Sequence, residues 1–180
     1  MNNNVDFLPI NISIVTISDT RKFENDKSGD VLFQRVENSG HKILSRKIVK
    51  DDFDQISKLF QHLINDNNID VIISTGGTGL TGRDITPEVM ETLFEKSIDG
   101  FGEMFRWLSF SKIGTSALQS RALAGVTKGT YIFCLPGSPS ACKDGWDQIL
   151  VHQLDIRHKP CNFVEIMPRL QEHEVARTKS

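Results

Sequence analysis

The sequence has few cysteines and no excess of charge of either sign. Its 180 residues include three cysteines, an odd number, and these show no paired spacing. This pattern excludes a disulfide framework or a zinc site and indicates reduced thiols in a cytoplasmic protein. The five histidines are also scattered, without the spacing of metal ligands. The formal net charge of −2 provides no basic field for nucleic acid or an anionic membrane.

Long apolar runs are also missing. No stretch approaches the ~18 residues that a membrane-spanning helix needs. The opening segment, MNNNVDFLPI, lacks the basic flank and apolar core of a signal peptide. We therefore expect a cytoplasmic protein without a membrane or nucleic-acid partner. With 38% hydrophobic and 24% charged residues, we expect residues 1–180 to form a single domain.

Four runs rich in β-branched residues predict β-strands. They are Ile10–Ile17, Lys42–Val49, Asp70–Ser74 and Tyr131–Leu135. The first, third and fourth runs are almost continuously apolar, which is typical of strands that are covered on both faces of a parallel sheet.

Segments with helical periodicity lie between these runs. The clearest one predicts a helix with an apolar face formed by Ile56, Leu59, Phe60, Leu63 and Ile64. Similar patterns over residues 31–36 and 142–150 complete an alternation that predicts a doubly wound α/β domain with a mostly parallel sheet. The region Gly100–Gly125 is expected to mix a hairpin with a short helix. The polar stretch from about Glu165 has the composition of a disordered tail.

Polar residues and glycines follow each predicted strand. Because the carboxyl ends of parallel strands meet at one edge of a sheet, these residues should converge there. The candidates are Asp19, Asp51, Asp52, Gly76, Gly77, Thr78, Gly79, Asp84, Gly137 and Ser138. Glycines allow backbone N–H groups to approach an anion, and carboxylates hold Mg²⁺ against phosphate oxygens. The set therefore predicts a site for a phosphorylated ligand with a hard cation.

Some of these residues also have a purely structural interpretation. Either Asp51 or Asp52 could be the N-cap of the helix that follows. Asp19 could only close a local turn, and the glycines could only form a tight connection. In contrast, Thr86-Pro87-Glu88 is typical of a helix start with Thr86 as its cap. Asp84 would then be a free acid on a loop at the sheet edge.

The glycine-rich segment imitates two nucleotide-binding motifs. Residues 77–84, GTGLTGRD, have the glycine spacing of a Walker A loop, but Arg83 replaces its lysine and Asp84 its hydroxyl residue. The dinucleotide pattern GxGxxG also occurs, over residues 77–82, but it follows the third strand and its helix begins too late. Neither a P-loop ATPase nor a dinucleotide-binding domain is therefore the favoured interpretation.

Five blocks of sequence together resemble the MoaB/Mog family of molybdenum cofactor biosynthesis proteins. In order, they are TISDTR, TGGTGLTGRDITPE, GFGEMFR, GTSALQSRALAG and LPGSPSACK. The resemblance spans about residues 10–163 and is stronger to the MoaB branch. It implies a three-layer α/β molybdopterin-binding fold of the MogA-like kind, assembled as a homotrimer or homohexamer.

The resemblance also implies an activity. Active family members are nucleotidyltransferases that adenylylate molybdopterin with Mg-ATP, and the alternative is a non-catalytic molybdopterin-binding or assembly protein. The two essential acids of the family match Asp51 and Asp84, which would be catalytic and hold magnesium. Gly76 to Gly79, Gly137, Ser138 and Asp19 would bind substrate, while Arg83 or Arg121 could neutralise phosphate charge. Lys50 departs from the family pattern, in which proline often precedes the first acid.

Overall fold

The structure is a computed structural model that describes residues 5–172. Strands and helices alternate along most of its length, as the sequence predicts. The strands are β1 Asn11–Ile17, β2 Lys42–Val49, β3 Val71–Thr75, β4 Lys96–Ser97, β5 Leu123–Thr127 and β6 Thr130–Leu135. The helices are α1 Lys27–Asn38, α2 Phe53–Ile64, α3 Thr86–Leu93, α4 Asp99–Ile113, α5 Pro139–Gly145, α6 Val151–Gln153 and α7 Phe163–Ile166.

All six strands belong to one sheet with the order β2-β1-β3-β6-β5-β4. The first four strands in this order are parallel, and β5 and β4 are antiparallel to their neighbours. Crossovers connect β1 to β2 and β2 to β3, whereas β6 follows β5 through a tight hairpin, and β1, β3 and β6 all lie in the interior of the sheet. The predicted doubly wound, mostly parallel α/β fold is confirmed.

Two hydrophobic clusters cover the two faces of the sheet and create three layers. The larger cluster joins one face to α1, α4 and the α5 region through residues such as Leu32, Phe105 and Trp146. The smaller cluster joins the other face to α2 and α3 through Phe60 and Met90. Because successive strand residues point to opposite faces, the interior strands must be apolar at nearly every position.

Two regions differ from the sequence-based expectation. The stretch predicted to mix a hairpin with a short helix forms the 15-residue helix α4, a 3₁₀ segment Gly114–Gln119 and then β5. Glycines at 100 and 102 do not interrupt α4 because they lie in its first turn, and Phe101 and Phe105 are buried. The hairpin exists, but it is formed by β5 and β6.

The C-terminal prediction is wrong for the part that the structure describes. Instead of a disordered tail from Glu165, α7 and the 3₁₀ turn Met167–Arg169 continue the fold to residue 172. The Asn162 side chain caps α7 by accepting a hydrogen bond from the Glu165 N–H at 2.8 Å. Residues 173–180 lie outside the described residues.

None of the helices within residues 5–172 has the length and apolar character needed to cross a lipid bilayer.

The α2 N-cap allows a test of how the two adjacent acids divide their roles. The Asp52 carboxylate accepts a hydrogen bond from the Gln55 N–H at 3.0 Å. We expect Asp52→Ala to lower the free energy of unfolding by about 1 kcal/mol, because that N–H loses its partner. Urea denaturation measures the loss. An equal loss in Asp51→Ala, which caps no helix, would contradict this assignment.

Candidate ligand-binding cleft at the carboxyl edge of the sheet

A cleft of about 1000 Å³ opens at the carboxyl ends of the parallel strands. The structure brings every candidate residue except Asp52, which caps α2, to its lining from four separate parts of the chain. They are Asp19, Asp51, Gly76, Gly77, Thr78, Gly79, Asp84, Gly137 and Ser138. The predicted convergence of the strand ends is therefore observed.

The glycine turn after β3 is required by close backbone packing. Gly76 and Gly77 have φ values of 107° and 64°, in the region that disfavours other residues. A β-carbon on Gly76 would lie 2.1 Å from the carbonyl oxygen of Ile17, at the end of β1. A β-carbon on Gly137, after β6, would lie 3.3 Å from the Gly76 Cα. Three chain segments thus meet at a point where side chains do not fit.

Thr86, at the start of α3, fixes this turn through two hydrogen bonds. Thr86 was predicted as the helix cap, but that prediction is wrong, because Thr86 is the first residue of α3 and Ile85 occupies the cap position. The buried Thr86 hydroxyl donates to the Gly76 carbonyl at 3.0 Å, and its N–H donates to the Gly77 carbonyl at 3.0 Å. The threonine therefore ties the glycine turn to the helix.

Asp51 points toward the glycine turn, because Asp52 takes the capping role at α2. A β-carbon on Gly77 would lie 3.0 Å from Oδ2 of Asp51, so only glycine allows this approach. The Oδ1 atom is buried and has no hydrogen-bond partner among the described residues. Burial raises the pKa of Asp51, the nearby charges of Asp84 and Asp19 raise it further, and the Ile85 N–H only partly offsets them.

Asp84 lies on the other side of the same turn. A β-carbon on Gly79 would lie 2.7 Å from Oδ2 of Asp84. That oxygen accepts hydrogen bonds from the Thr81 N–H at 2.9 Å and from the Thr81 hydroxyl at 2.6 Å. Burial opposes ionisation, but the bonds from Thr81 and Gly79 and the charge of Arg121 hold the pKa of Asp84 below its ordinary value. The two acids therefore have pKa values displaced in opposite directions.

The two arginines expected near phosphate charge are engaged by the protein itself. The Arg83 guanidinium pairs with Asp19. Arg121 donates to the carbonyls of Gly79 and Asp84 and pairs with Glu88. Both side chains therefore hold loops of the cleft in place.

The far wall of the cleft includes residues that the sequence did not reveal. Phe105, Ser109 and Lys112 line it from α4, and Lys112 pairs with Asp144 of α5. These three residues are four and three positions apart, a spacing that places side chains on the same face of a helix. Recognition of α4 in the sequence would therefore have grouped them.

The turn after β6 joins this wall to α1. The Ser138 hydroxyl caps α5 by accepting a hydrogen bond from the Ala141 N–H at 3.1 Å. Ser28, which the sequence also did not indicate, donates a hydrogen bond from its hydroxyl to the Gly137 carbonyl at 2.8 Å. Gly137 and Ser138 therefore border the cleft in a turn that is fixed on both sides.

The acidic side of the cleft is suited to a hard cation. Within residues 5–172, no group of three or more histidine, cysteine or acidic side chains is arranged as a complete metal centre. Mg²⁺ does not require one, because it commonly binds one or two carboxylates together with substrate phosphates and water. The unpartnered Oδ1 of Asp51 and the nearby carboxylate of Asp84 fit that type of site.

The sheet topology and the cleft define the class of protein: an α/β domain with an open cleft at the carboxyl edge of a mostly parallel sheet, where ligands of such folds bind. A family model described as "Probable molybdopterin binding domain" matches residues 13–156. The chain belongs to this MoaB/Mog family of molybdenum cofactor biosynthesis proteins.

Individual relatives agree with this assignment. The chain is 45% identical over 158 residues to Molybdenum cofactor biosynthesis protein B of Escherichia coli K12, covering 88% of this chain and 93% of that protein. A crystal structure of a Molybdenum cofactor biosynthesis protein B superposes with a TM-score of 0.82 at 37% identity, covering 92% and 98% of the two chains. A solved structure of MogA gives 0.72 at 28% identity, covering 80% and 97%.

Two glycines of the same loop allow a matched test of the packing argument. Gly77→Ala would place a β-carbon 2.2 Å from Oγ1 of Thr86 in a left-handed backbone conformation, whereas a β-carbon on Gly82 would meet nothing within 4 Å. We expect Gly77→Ala to lower the free energy of unfolding by more than about 1 kcal/mol, and Gly82→Ala to have little effect. Thermal and urea unfolding compare them. Equal effects would refute the close packing around Gly77.

Proposed function

We propose that the chain acts in molybdenum cofactor biosynthesis as a molybdopterin adenylyltransferase that uses Mg-ATP. The observation that carries this proposal is the placement of Asp51 and Asp84. The two carboxylates flank one glycine-rich turn in a cleft of about 1000 Å³. Names of relatives support molybdopterin as the ligand, and the two-acid arrangement supports the metal-dependent step.

The reaction joins two polyanions. An oxygen of the terminal phosphate of molybdopterin attacks the α-phosphorus of ATP, the bond from that phosphorus to the bridging oxygen breaks, and pyrophosphate leaves. The products are adenylylated molybdopterin and pyrophosphate. Positioning and charge stabilisation dominate such transfers, because the protein supplies little covalent chemistry.

In this proposal the acids bind the cation, and the glycine turn receives a phosphate group. Asp51 and Asp84 would hold Mg²⁺, which would neutralise phosphate charge when bound. Gly76 to Gly79 line the cleft with a glycine-rich backbone whose N–H groups a phosphate group would approach. Gly137 and Ser138 border the same space from the neighbouring strand end, and Asp19 closes one side through its pair with Arg83.

A non-catalytic molybdopterin-binding or assembly role is the second candidate. It is favoured by the engagement of Arg83 and Arg121 with protein groups, which leaves neither guanidinium free to meet the charge that develops in a phosphoryl transfer. Under this alternative, the cleft would hold its ligand and deliver it without turnover.

Turnover with molybdopterin and Mg-ATP separates the two candidates. We expect purified protein to form adenylylated molybdopterin, and Asp84→Asn to lower the rate by at least about 100-fold, because a ligand of the cation is lost. Chromatography of the pterin products and pyrophosphate release measure the reaction. Circular dichroism should show an unchanged fold in the variant.

Two outcomes would contradict the catalytic assignment. Binding of molybdopterin by the wild-type protein without any product would favour the non-catalytic role. Equal turnover in the wild type and Asp84→Asn would reject Asp84 as a catalytic metal ligand.

We also propose that copies of the chain assemble through the surface of α4 and the following 3₁₀ segment. Trp107 is 74% exposed and Leu118 is 79% exposed, and Phe110 and Ile113 are also exposed between them. Large apolar side chains concentrated in one region are typical of protein interfaces. A homotrimer, or a homohexamer built from trimers, is the assembly that the family resemblance implies.

Light scattering tests the assembly. We expect the wild type to have the mass of a trimer or hexamer and Trp107→Glu to dissociate at micromolar concentration, because a charge would be buried at the contact. Lys58→Glu, on α2 and remote from this surface, is the control. A monomeric wild type would refute the proposal.

A further inference from the structure

We propose that Arg121 is a positioning residue that fixes the loop carrying Asp84. This loop, residues 79–84, is called the acid loop below. The inference rests on the proposed function for the role of Asp84, but its geometry is independent of any reaction. Arg121 lies between the 3₁₀ segment and β5, so it is remote in sequence from the loop that it holds.

The Arg121 guanidinium bonds to both ends of the acid loop. Its Nε donates to the carbonyl of Gly79 at 2.7 Å, and its Nη2 donates to the carbonyl of Asp84 at 2.8 Å. One planar group therefore sets the distance between the first and last residues of the loop. A change in either bond would move the backbone that carries the Asp84 carboxylate.

Two further contacts anchor the guanidinium to the rest of the fold. Its Nη1 pairs with Glu88 of α3, and the Arg121 backbone N–H donates to the Thr78 carbonyl at 3.1 Å. The hydrogen bond from Arg121 also holds the pKa of Glu88 below its ordinary value. The acid loop is thus fixed relative to both the glycine turn and α3.

The acid loop has little packing of its own to replace these bonds, and its pair between Arg83 and Asp19 lies largely in solvent, with the Arg83 side chain 69% exposed. Leu80 projects into solvent with 67% of its surface exposed, and the space around the Gly82 Cα is open. Within the loop, Thr81 bonds to the Asp84 carboxylate and its carbonyl accepts the Asp84 N–H at 3.0 Å. These local bonds orient the carboxylate inside the loop, whereas Arg121 positions the loop as a whole.

Arginine is the residue type that this role requires. A guanidinium presents several N–H donors in a rigid plane, so it can serve two carbonyls and one carboxylate simultaneously. A lysine ammonium at position 121 would keep the positive charge near Asp84 but could not span the same three acceptors. Arg121→Lys therefore separates the effect of geometry from the effect of charge, and Arg121→Gln removes both.

Two measurements test this role without turnover: Mn²⁺ affinity from the electron paramagnetic resonance signal of free Mn²⁺, and hydrogen–deuterium exchange of residues 79–84. We expect Arg121→Lys and Arg121→Gln each to weaken Mn²⁺ binding by about 10-fold or more, as loss of an outer-shell contact typically does. The acid loop should exchange faster in both variants.

Arg35 offers a matched control. It makes a two-bond pair with Asp147 and its side chain is 23% exposed, against 27% for Arg121, but its guanidinium bonds to Asp147 and not to the acid loop. We expect Arg35→Gln to leave Mn²⁺ affinity and exchange of the acid loop unchanged. Thermal melting of all three variants shows whether they are comparably folded.

The outcomes distinguish this inference from the proposed function. Unchanged loop exchange in both Arg121 variants would overturn the positioning role, whether or not Mn²⁺ binds. Retained Mn²⁺ affinity in both variants, with a wild type that binds, would also overturn it. A wild type that binds no Mn²⁺ would count against the metal site of the proposed function, and loop exchange would still decide the role of Arg121.

Discussion

The contact between Gly76 and the end of β1 is the constraint on which the cleft depends. A side chain at position 76 would overlap the Ile17 carbonyl, so the chain leaves β3 in a conformation that glycine adopts readily. This turn brings Gly77 and Gly79 against Asp51 and Asp84. The position of both carboxylates therefore follows from how tightly the interior strand ends are packed.

Much of this arrangement could be predicted because the sheet is parallel. Nearly continuous apolar runs identified the interior strands β1, β3 and β6, and parallel strands must bring their carboxyl ends to one edge. That rule alone grouped residues as distant as Asp19 and Ser138. It required no knowledge of side-chain contacts, since it depends only on the direction of the strands.

Contacts that depend on local geometry could not be predicted in the same way. The choice between Asp51 and Asp52 as the α2 cap stayed open, because both are acceptable cap residues and only backbone angles decide between them. Thr86 was predicted to be a cap because Thr-Pro-Glu is typical of a helix start, whereas its hydroxyl bonds to Gly76 of another segment, a contact that no local pattern indicates. The Arg121 contacts span 37 and 42 residues of sequence, so no spacing pattern indicates them.

In the proposed magnesium site, the buried Oδ1 of Asp51 would link cation binding to proton release. Burial raises the pKa of Asp51, so a divalent ion would displace a proton from this carboxyl wherever the surrounding pH is low enough to protonate it. Asp84, whose pKa is lowered, would stay ionised to a lower pH and would contribute its charge without such an exchange. The proposed site would therefore couple metal occupancy to the acidity of its surroundings through one side chain of the pair.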